Sequence, residues 1–341
     1  MSGQETVLVT GGSGYIGGWV VVAALQAGYQ VRTTVRSLSR EAEVRARLGK
    51  VADTAALSFH AVDLLADDGW DAATDGCDYV LHVASPIAVA EPKDPQELIK
   101  PAREGAQRAI RAAIKAGVKR VVQTSSVAAT GKPPGGPDSV SDETQWTDPD
   151  LPGVSAYAQS KTLAERAAWE LIGSAGGATT LATVNPALVV GPVLDAADYS
   201  GSVQVVERLV TGRVPGLPRL GFNLVDVRDV ADLHLRAMTA PEAAGERFIA
   251  ANEWAWMADL AVQLKAELGA DGAKIPTRKV PDFVLRLAGL FDKDIASVTD
   301  GLGKKHDFTS AKAQRVLGWK PRPGRESALD CARSLIAAGV K

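Results

Sequence analysis

The chain has 341 residues, of which 46% are hydrophobic and 23% charged, a composition typical of a globular protein. Because 38 basic residues nearly balance 40 acidic ones, the net charge of −2 gives no reason to expect nucleic acid or an anionic membrane as a partner. Two cysteines and four scattered histidines offer neither a disulfide framework nor metal-ligand spacing. Since no signal-peptide pattern and no apolar run of ~18 residues is present, we expect a cytoplasmic protein without a metal.

Short β-branched segments alternate with helical segments through the first half of the chain. This alternation is typical of β–α–β units and predicts an α/β fold, a Rossmann-type doubly wound parallel sheet with helices on both faces. The predicted strands are 7–10, 31–35, 57–61, 79–83, 121–124 and 181–184, and the predicted helices are 16–27, 41–48, 97–116 and 158–172.

The second half is less regular, because residues 191–224 are rich in glycine and proline. A loop-and-helix region placed after a nucleotide-binding sheet commonly covers the edge where ligands bind. We predict a dinucleotide-binding domain over 1–190, to which 225–250 returns, and a smaller, mainly helical substrate-binding lobe over 191–224 and 251–341. Loop 131–141 is either a flap beside the active site or a plain surface connection. The later helices are predicted at 230–238, 257–268, 283–290 and 327–338.

The first strand runs directly into a glycine-rich turn that opens a helix. Glycines let backbone N–H groups approach a pyrophosphate, and the N-terminus of a helix adds its dipole. A tight turn without a ligand would use the same residues, but the order of strand, turn and helix is the one that a dinucleotide site requires. We therefore predict cofactor contacts from Gly11, Ser13, Gly14, Tyr15, Ile16 and Gly17.

The end of the second strand indicates which dinucleotide is bound. In an NAD site, an acidic residue about 20 positions beyond the glycine loop binds the ribose 2′-hydroxyl. Here no carboxylate appears before Glu41, whereas Arg32, Arg36 and Arg40 do. Since a guanidinium matches a phosphate in charge and geometry, NADP(H) is the predicted cofactor. Arg36 is the first choice for contact with the 2′-phosphate, and Arg32 is the second.

Two further segments follow strands at the edge where the cofactor should lie. Asp63 and Leu64 follow the third strand, where a carboxylate can accept a hydrogen bond from the adenine amino group. Val83, Ala84 and Ser85 follow the fourth strand and should pass beneath the nicotinamide ribose.

Tyr157 and Lys161 stand four residues apart in a predicted helix, so their side chains share one face. A tyrosine has a pKa near ~10, and a neighbouring ammonium favours the phenolate and lowers that pKa. The pair alone would be an ordinary surface pair. However, Ser125 and Ser126 end the fifth strand at the sheet edge, where a hydroxyl can hydrogen-bond a carbonyl and stabilise a developing oxyanion.

With these motifs the chain resembles the extended short-chain dehydrogenases/reductases, in particular the group of dihydroflavonol reductases, cinnamoyl-CoA reductases and NADPH-dependent aldehyde/ketone reductases. Segments 185–192, 225–231 and 317–321 contribute to the resemblance. It implies that Tyr157 is the general acid, that Lys161 lowers its pKa and holds the nicotinamide ribose, and that Ser126 orients the carbonyl. Ser125 remains an alternative to Ser126. The residues expected to brace the nicotinamide ring are Pro186, Ala187, Leu188 and Val189.

We therefore expect an NADPH-dependent carbonyl reductase, a monomer or homodimer, that reduces an aldehyde or ketone with an apolar or aromatic body to the alcohol. The residues around Tyr157 lack the Asn-Trp-Tyr-Cys-Tyr signature of plant cinnamoyl-CoA reductases, and Thr130 stands where plant dihydroflavonol reductases tend to carry Asn, so neither substrate is favoured. The alternatives are a 3β-hydroxysteroid dehydrogenase, a nucleotide-sugar epimerase or dehydratase, and a non-catalytic redox sensor. Candidate residues for the substrate pocket, each of which could equally belong to the core, are Ile87, Ala88, Val89, Val193, Leu194, Tyr199, Val203, Leu217 and Phe222.

Overall fold

The computed structural model describes residues 4–86, 92–131, 136–195, 201–291 and 299–340. The strands are β1 (Thr6–Thr10), β2 (Gln30–Val35), β3 (Leu57–Ala61), β4 (Tyr79–His82), β5 (Arg120–Thr124), β6 (Ser139–Ser141), β7 (Thr180–Pro186), β8 (Leu188–Val190), β9 (Gly221–Asp226), β10 (Arg247–Ala250), β11 (Trp254–Trp256) and β12 (His306–Phe308). The helices are α1 (Tyr15–Gln26), α2 (Glu41–Leu48), α3 (Trp70–Thr74), α4 (Gln96–Ala116), α5 (Ala156–Ala175), α6 (Ser202–Val210), α7 (Val227–Thr239), α8 (Met257–Leu268), α9 (Asp282–Ala288), α10 (Ala311–Leu317) and α11 (Gly324–Ala337).

Seven of the described strands form a parallel sheet in the order β10-β7-β5-β4-β1-β2-β3. The chain builds outward from β1 to β3 and then crosses back to place β4 on the other side of β1. This reversal opens a crevice at the carboxyl ends of β1 and β4, which is where open α/β sheets bind their ligands. The predicted doubly wound parallel sheet is confirmed. Every strand and helix predicted for the first half is present, with ends that differ by three residues or fewer.

The first strand shows why these strands are hydrophobic along their whole length. Val7 and Val9 pack in a core cluster with residues of α1 and α7, whereas Leu8 packs on the opposite face with residues of α3, α4 and α5. Alternate side chains of a strand point to opposite faces of the sheet. Because helices cover both faces, the three central positions of β1 are all apolar, and their side chains are fully buried.

The glycine- and proline-rich segment 191–224 contains α6, a helix that our sequence analysis missed. Val203, Val206 and Leu209 recur every three residues on its buried face, which is the spacing of an amphipathic helix. They pack in a second core with side chains of α8 and α11, beside a small sheet in which β9 pairs with β8 and β11. Strand β10 lies outside this small sheet, because it pairs with β7 at the edge of the large one.

Loop 131–141, whose residues 132–135 lie outside the described ranges, is tied to the C-terminal part of the chain. Its strand β6 pairs in parallel with β12, and the N–H of Ser139 donates to the carbonyl of Lys305 at 3.0 Å. Whether the loop acts as a flap stays a prediction. Among the helices that the structure describes, none is long and apolar enough to cross a membrane.

Candidate active site

The glycine loop has a geometry that only glycines permit. Gly11 has a φ of +73°, and a Cβ at this position would lie 3.0 Å from the Cα of Ala84. At Gly17, a Cβ would lie 2.2 Å from the carbonyl oxygen of Gly11. Helix α1 therefore begins directly against the end of β1, and its first turn carries no acidic side chain. Its N-terminal N–H groups are suited to bind the pyrophosphate of a dinucleotide.

Two threonines of β2 hold this loop from the side. The N–H of Gly11 donates to Thr34 Oγ1 at 3.0 Å, and the N–H of Gly12 donates to Thr33 Oγ1 at 3.1 Å. Thr33 in turn donates its hydroxyl proton to the carbonyl of Val9 at 2.8 Å. Both threonine side chains are buried, so they support the turn from within the fold.

A neutral histidine connects the loop to the end of β4. Thr10 Oγ1 accepts the N–H groups of Val83 and Ala84, both at 3.0 Å, and forms a third hydrogen bond of 3.0 Å with His82 Nδ1. Since its oxygen already accepts two hydrogen bonds, the Thr10 hydroxyl donates to an unprotonated Nδ1. Burial, with a smaller contribution from the charge of Lys161, lowers the pKa of His82 to about 3. The imidazole is therefore neutral near pH 7.

The two predicted phosphate ligands lie in different places. Arg36 is exposed directly after β2, at the carboxyl edge of the sheet, and its guanidinium has no hydrogen bond or ion pair with any residue that the structure describes. Arg32 lies near the start of the same strand, where its guanidinium donates to the carbonyls of Ala73 (3.3 Å) and Asp75 (2.6 Å) at the end of α3. Four residues of strand separate the two arginines by about 13 Å. The placement of Arg32 thus corrects its assignment, because its guanidinium already binds the last carbonyls of a helix.

The other predicted cofactor residues lie along the same edge. Asp63 is half-buried and accepts the N–H of Leu65 at 2.9 Å, while Leu64 packs against the backbone of α4 at Gly105. The aromatic ring of Tyr15 is directed away from the loop, since its hydroxyl donates to the carbonyl of Gly191 at 2.8 Å. Any contact of Tyr15 with a cofactor pyrophosphate is therefore left to its backbone N–H. Half-buried residues that complete the edge are Val83, Ala84, Ser85, Ala187 and Leu188.

The predicted catalytic pair lies in the first turns of α5, which Ser155 caps by accepting the N–H of Ala158 at 3.2 Å. Lys161 Nζ lies 5.8 Å from the centre of the half-buried Tyr157 ring. The lysine is only 6% exposed, yet its ammonium has no carboxylate or hydrogen-bond acceptor among the described residues. A buried ammonium is stable only when it is paired or hydrogen-bonded. The hydroxyls of a nicotinamide ribose would supply the missing acceptors, so this residue fits a dinucleotide cofactor.

The two serines after β5 have different surroundings. The Ser125 hydroxyl donates to a carboxylate oxygen of Glu165, and its N–H donates to the carbonyl of Val184 at 2.7 Å. Ser126 Oγ accepts the N–H of Ala128 at 3.1 Å, which leaves its hydroxyl proton available to a substrate oxygen. This difference favours Ser126 over Ser125 for contact with the substrate.

A buried network behind these serines was missed at the sequence level. It contains Glu165, Asn185 and Arg247, which are at most 7% exposed. The signal for Glu165 was its position on α5, one turn beyond Lys161 and on the same face. Arg247 lies in the apolar strand β10, and the sequence carries no sign that a distant carboxylate pairs with it.

Several residues predicted to line the substrate pocket prove to belong to the core. Val203 and Leu217 are at most 1% exposed, and Val193 is 9% exposed in the same cluster, so for these three the structure supports the alternative of a core position. Val189, predicted to brace the nicotinamide ring, also has its side chain in a core cluster. Leu194 and Phe222 are half-buried, while Ile87, Ala88, Val89 and Tyr199 lie outside the described residues.

No group of three or more His, Cys, Asp or Glu side chains that could hold a metal ion occurs within the described ranges. Burial raises the pKa of Cys77 to about 11 and that of Cys331 to about 12. A nucleophilic thiolate at either position is therefore disfavoured.

Comparisons with known proteins agree with this geometry. The family model described as the NAD dependent epimerase/dehydratase family matches residues 7–251. Cinnamoyl-CoA reductase 2 of Arabidopsis thaliana is 39% identical over 249 residues, which cover 72% of this chain and 73% of that protein. Ketoreductase azaE of Aspergillus niger is 31% identical over 350 residues, with 97% and 98% covered. Among solved structures, yeast methylglyoxal/isovaleraldehyde reductase Gre2 complexed with NADPH matches with a TM-score of 0.80 and 26% identity, covering 97% of this chain and 98% of that one.

Proposed function

Since the chain belongs to the NAD dependent epimerase/dehydratase family, the extended short-chain dehydrogenases/reductases, we propose that it reduces an aldehyde or ketone with an apolar or aromatic body to the alcohol. Its relatives are reductases, and a structural neighbour is complexed with NADPH, so the chain is an NADP-dependent oxidoreductase. The observation that carries the proposal is the buried Lys161, which lies one helical turn from Tyr157 and has no acceptor among the described side chains.

The residues present fit NADPH in three places. The N-terminus of α1 and the loop from Gly11 to Gly17 would hold the pyrophosphate, because the glycines let the helix begin directly against β1 with its first N–H groups at the sheet edge. The exposed Arg36 would bind the 2′-phosphate, and Arg40, which forms a 2.8 Å ion pair with Glu43, lies one turn further along the chain. Lys161 would donate to the ribose hydroxyls. When bound, the nicotinamide supplies the hydride.

The chain's own residues would then position and protonate the substrate carbonyl. Ser126 would donate a hydrogen bond to the carbonyl oxygen and stabilise the negative charge that develops on it. Tyr157 would transfer its phenolic proton to that oxygen as the alkoxide forms. Lys161 would stabilise the phenolate that remains, because its ammonium lies close to the ring and is shielded from water.

The proposed substrate class is tested by following NADPH consumption with aromatic aldehydes, aryl ketones, β-ketoesters and a 3-ketosteroid, and by chromatography of the products formed from a nucleotide sugar, because epimerisation and dehydration consume no NADPH. We expect turnover of one or more of the first three classes. Turnover of the nucleotide sugar alone, or of the steroid alone, would replace the proposal with one of the other activities that this family supports. Binding of NADPH without turnover of any carbonyl would favour a non-catalytic role.

A further inference from the structure

An ion pair is buried directly behind the proposed catalytic serine. Arg247 Nε donates to Glu165 Oε1 at 2.7 Å, and the terminal nitrogen of the same guanidinium reaches Oε2 at 3.3 Å. Glu165 is fully buried and Arg247 is 7% exposed. Burying two charges has a desolvation cost that their attraction only partly offsets. The stability of the fold is therefore a weak reason for a charged pair here, and the contacts of the pair point to another role.

Glu165 binds the start of the segment that carries Ser126. Its Oε2 accepts the hydroxyl of Ser125 and the amide N–H of Asn185 at 2.9 Å. The Asn185 side chain also donates to the carbonyl of Ser126 at 3.2 Å. One carboxylate oxygen thus holds the side chain before Ser126 and, through Asn185, the backbone carbonyl of Ser126 itself.

Arg247 binds the other end of the same segment. Its guanidinium donates to the carbonyl of Ala129 at 3.3 Å, at the end of the short 3₁₀ turn that Ser126 caps. It also donates to the carbonyls of Glu143 and Gln145, both at 2.8 Å, and Trp146 covers it with its ring centre 3.7 Å away. Residues 125–129 are therefore held at both ends by one ion pair.

The same carboxylate belongs to the helix that carries the proposed acid. Tyr157, Lys161 and Glu165 follow one another at intervals of four residues on α5, so they share a face. A rigid helix of two turns separates Glu165 from Tyr157 by about 12 Å. Glu165 is hydrogen-bonded to Ser125 and, through Asn185, to the backbone of Ser126, and it lies on the same helix as Tyr157. The position of Ser126 relative to Tyr157 is therefore set through Glu165.

We propose that Glu165 and Arg247 are positioning residues that fix the Ser126 hydroxyl against the Tyr157 phenol. This inference rests on the proposed function, since it needs both groups to bind one carbonyl oxygen. Neither residue contacts the substrate. Reacting groups have to be held in an accurate geometry, and a displacement of about 1 Å can lower a rate ~100-fold.

The mildest test removes a single hydrogen bond. Ser125→Ala deletes the hydroxyl that binds Glu165 and leaves the ion pair in place. We expect kcat for carbonyl reduction to fall ~10–100-fold, while the Kd for NADPH, measured by fluorescence titration, stays at the wild-type value. The matched control is Trp169→Phe, which deletes an N–H donor to Glu165 Oε1 (3.4 Å) on α5 itself and leaves the bonds of Asn185 and of residues 125–129 in place. This control should keep the wild-type kcat.

A second test distinguishes an effect on the position of Ser126 from an effect on the stability of the fold. Glu165→Gln should lower both kcat and Tm, because it leaves a buried guanidinium uncompensated. The double variant Glu165→Met/Arg247→Met removes both charges, so we expect its Tm to recover towards the wild-type value while its kcat stays low. A kcat that recovers together with Tm would show that the pair serves the fold alone and would overturn the proposal.

The outcomes distinguish this proposal from the function on which it rests. If the wild-type protein reduces no carbonyl, the proposed function fails first. If the wild type is active and Ser125→Ala matches it in kcat, only the positioning role fails. If Ser125→Ala lowers kcat by the same factor in a Ser126→Ala background as in the wild type, Ser125 acts independently of Ser126, and the positioning role is overturned. Should the double variant not fold, the comparison of Ser125→Ala with Trp169→Phe still decides.

Discussion

The carboxyl edge of the large sheet has two halves that are built from different interactions. The cofactor half, at the ends of β1, β2 and β4, is held mainly by neutral groups: threonine hydroxyls, backbone N–H groups and an uncharged imidazole, with one guanidinium, Arg47, donating to the carbonyl of Gly12 at 3.2 Å. The catalytic half, at the ends of β5 and β7 with α5, is held by a buried carboxylate and guanidinium. A site for an anion can be built from the backbone N–H groups of one loop. A proton donor and a hydroxyl that bind the same substrate oxygen are side chains of different elements, so residues distant in the sequence have to hold them in position.

The largest effect is expected from a change in the catalytic half that leaves the cofactor half intact. Tyr157→Phe removes the phenolic proton, and general acid catalysis typically contributes ~10²–10⁴-fold in rate. We expect kcat to fall by that factor without a change in the Kd for NADPH. The matched control is Tyr29→Phe, which removes a phenolic hydroxyl just before β2, at the edge of the sheet away from the site. A Tyr157→Phe enzyme with most of its activity would show that another group is the acid.

The second prediction concerns a change that disrupts the cofactor half and leaves the catalytic half intact. Gly17→Ala places a methyl group 2.2 Å from the carbonyl oxygen of Gly11, so the turn has to move. We expect binding of NADPH to weaken ~100-fold or more, equivalent to about 2.7 kcal/mol, as measured by fluorescence titration. Gly173→Ala in α5 is the control, since nothing lies within 4 Å of its added methyl. Wild-type affinity in Gly17→Ala would mean that the pyrophosphate binds elsewhere.

A smaller change sharpens the assignment within the cofactor half. Arg36→Asp replaces the exposed guanidinium after β2 with a carboxylate, which repels a 2′-phosphate and can accept a 2′-hydroxyl. The ratio of kcat/KM for NADPH to that for NADH should fall ~10–100-fold, about 1.4–2.7 kcal/mol. Arg32→Gln should leave this ratio unchanged, because Arg32 binds the end of α3. If Arg32→Gln instead changed the ratio more than Arg36→Asp, the two roles would be reversed.

The last prediction concerns stability, because each half contains a buried neutral histidine. Burial lowers the pKa of His82 to about 3 and that of His234, whose Nε2 bonds Thr124 at 2.7 Å, to about 4. Unfolded histidines bind protons below pH ~6.5, whereas these two stay neutral in the fold, so the free energy of unfolding decreases as the pH falls from ~6.5 towards 4. The slope is about 1.4 kcal/mol per pH unit for each histidine once the pH is well below 6.5.

Urea unfolding at pH 7.5 and pH 5.5 measures this loss, and His234→Gln should remove about half of the part due to these two histidines. A wild-type protein that is equally stable at both pH values would show that the histidines are not buried neutral groups. The same experiment on Ser126→Ala should give the wild-type difference between the two pH values, since that change alters no titratable group.

Much of the fold was predictable because its signals are local. Strands β1 to β5 are short apolar runs bounded by helices with clear ends, so their order already indicated a parallel sheet. Helix α6 was missed because the surrounding glycines and prolines obscured its three-residue spacing. Strand pairs such as β6 with β12 join residues more than 160 positions apart, and no local pattern predicts such a pairing.

The amino-acid sequence by itself determined the type of site: a glycine turn that no other residue can form, an arginine where NAD sites carry a carboxylate, and a tyrosine and lysine one turn apart. Each of these features involves only a few neighbouring residues of one strand, turn or helix, so it can be recognised from the spacing of residues in the sequence. Only the tertiary structure decided which partners the candidate side chains contact. It directed Arg32 to α3, Ser125 to Glu165, and Val203 and Leu217 into the core, because a side chain's partner is set by which elements pack beside it.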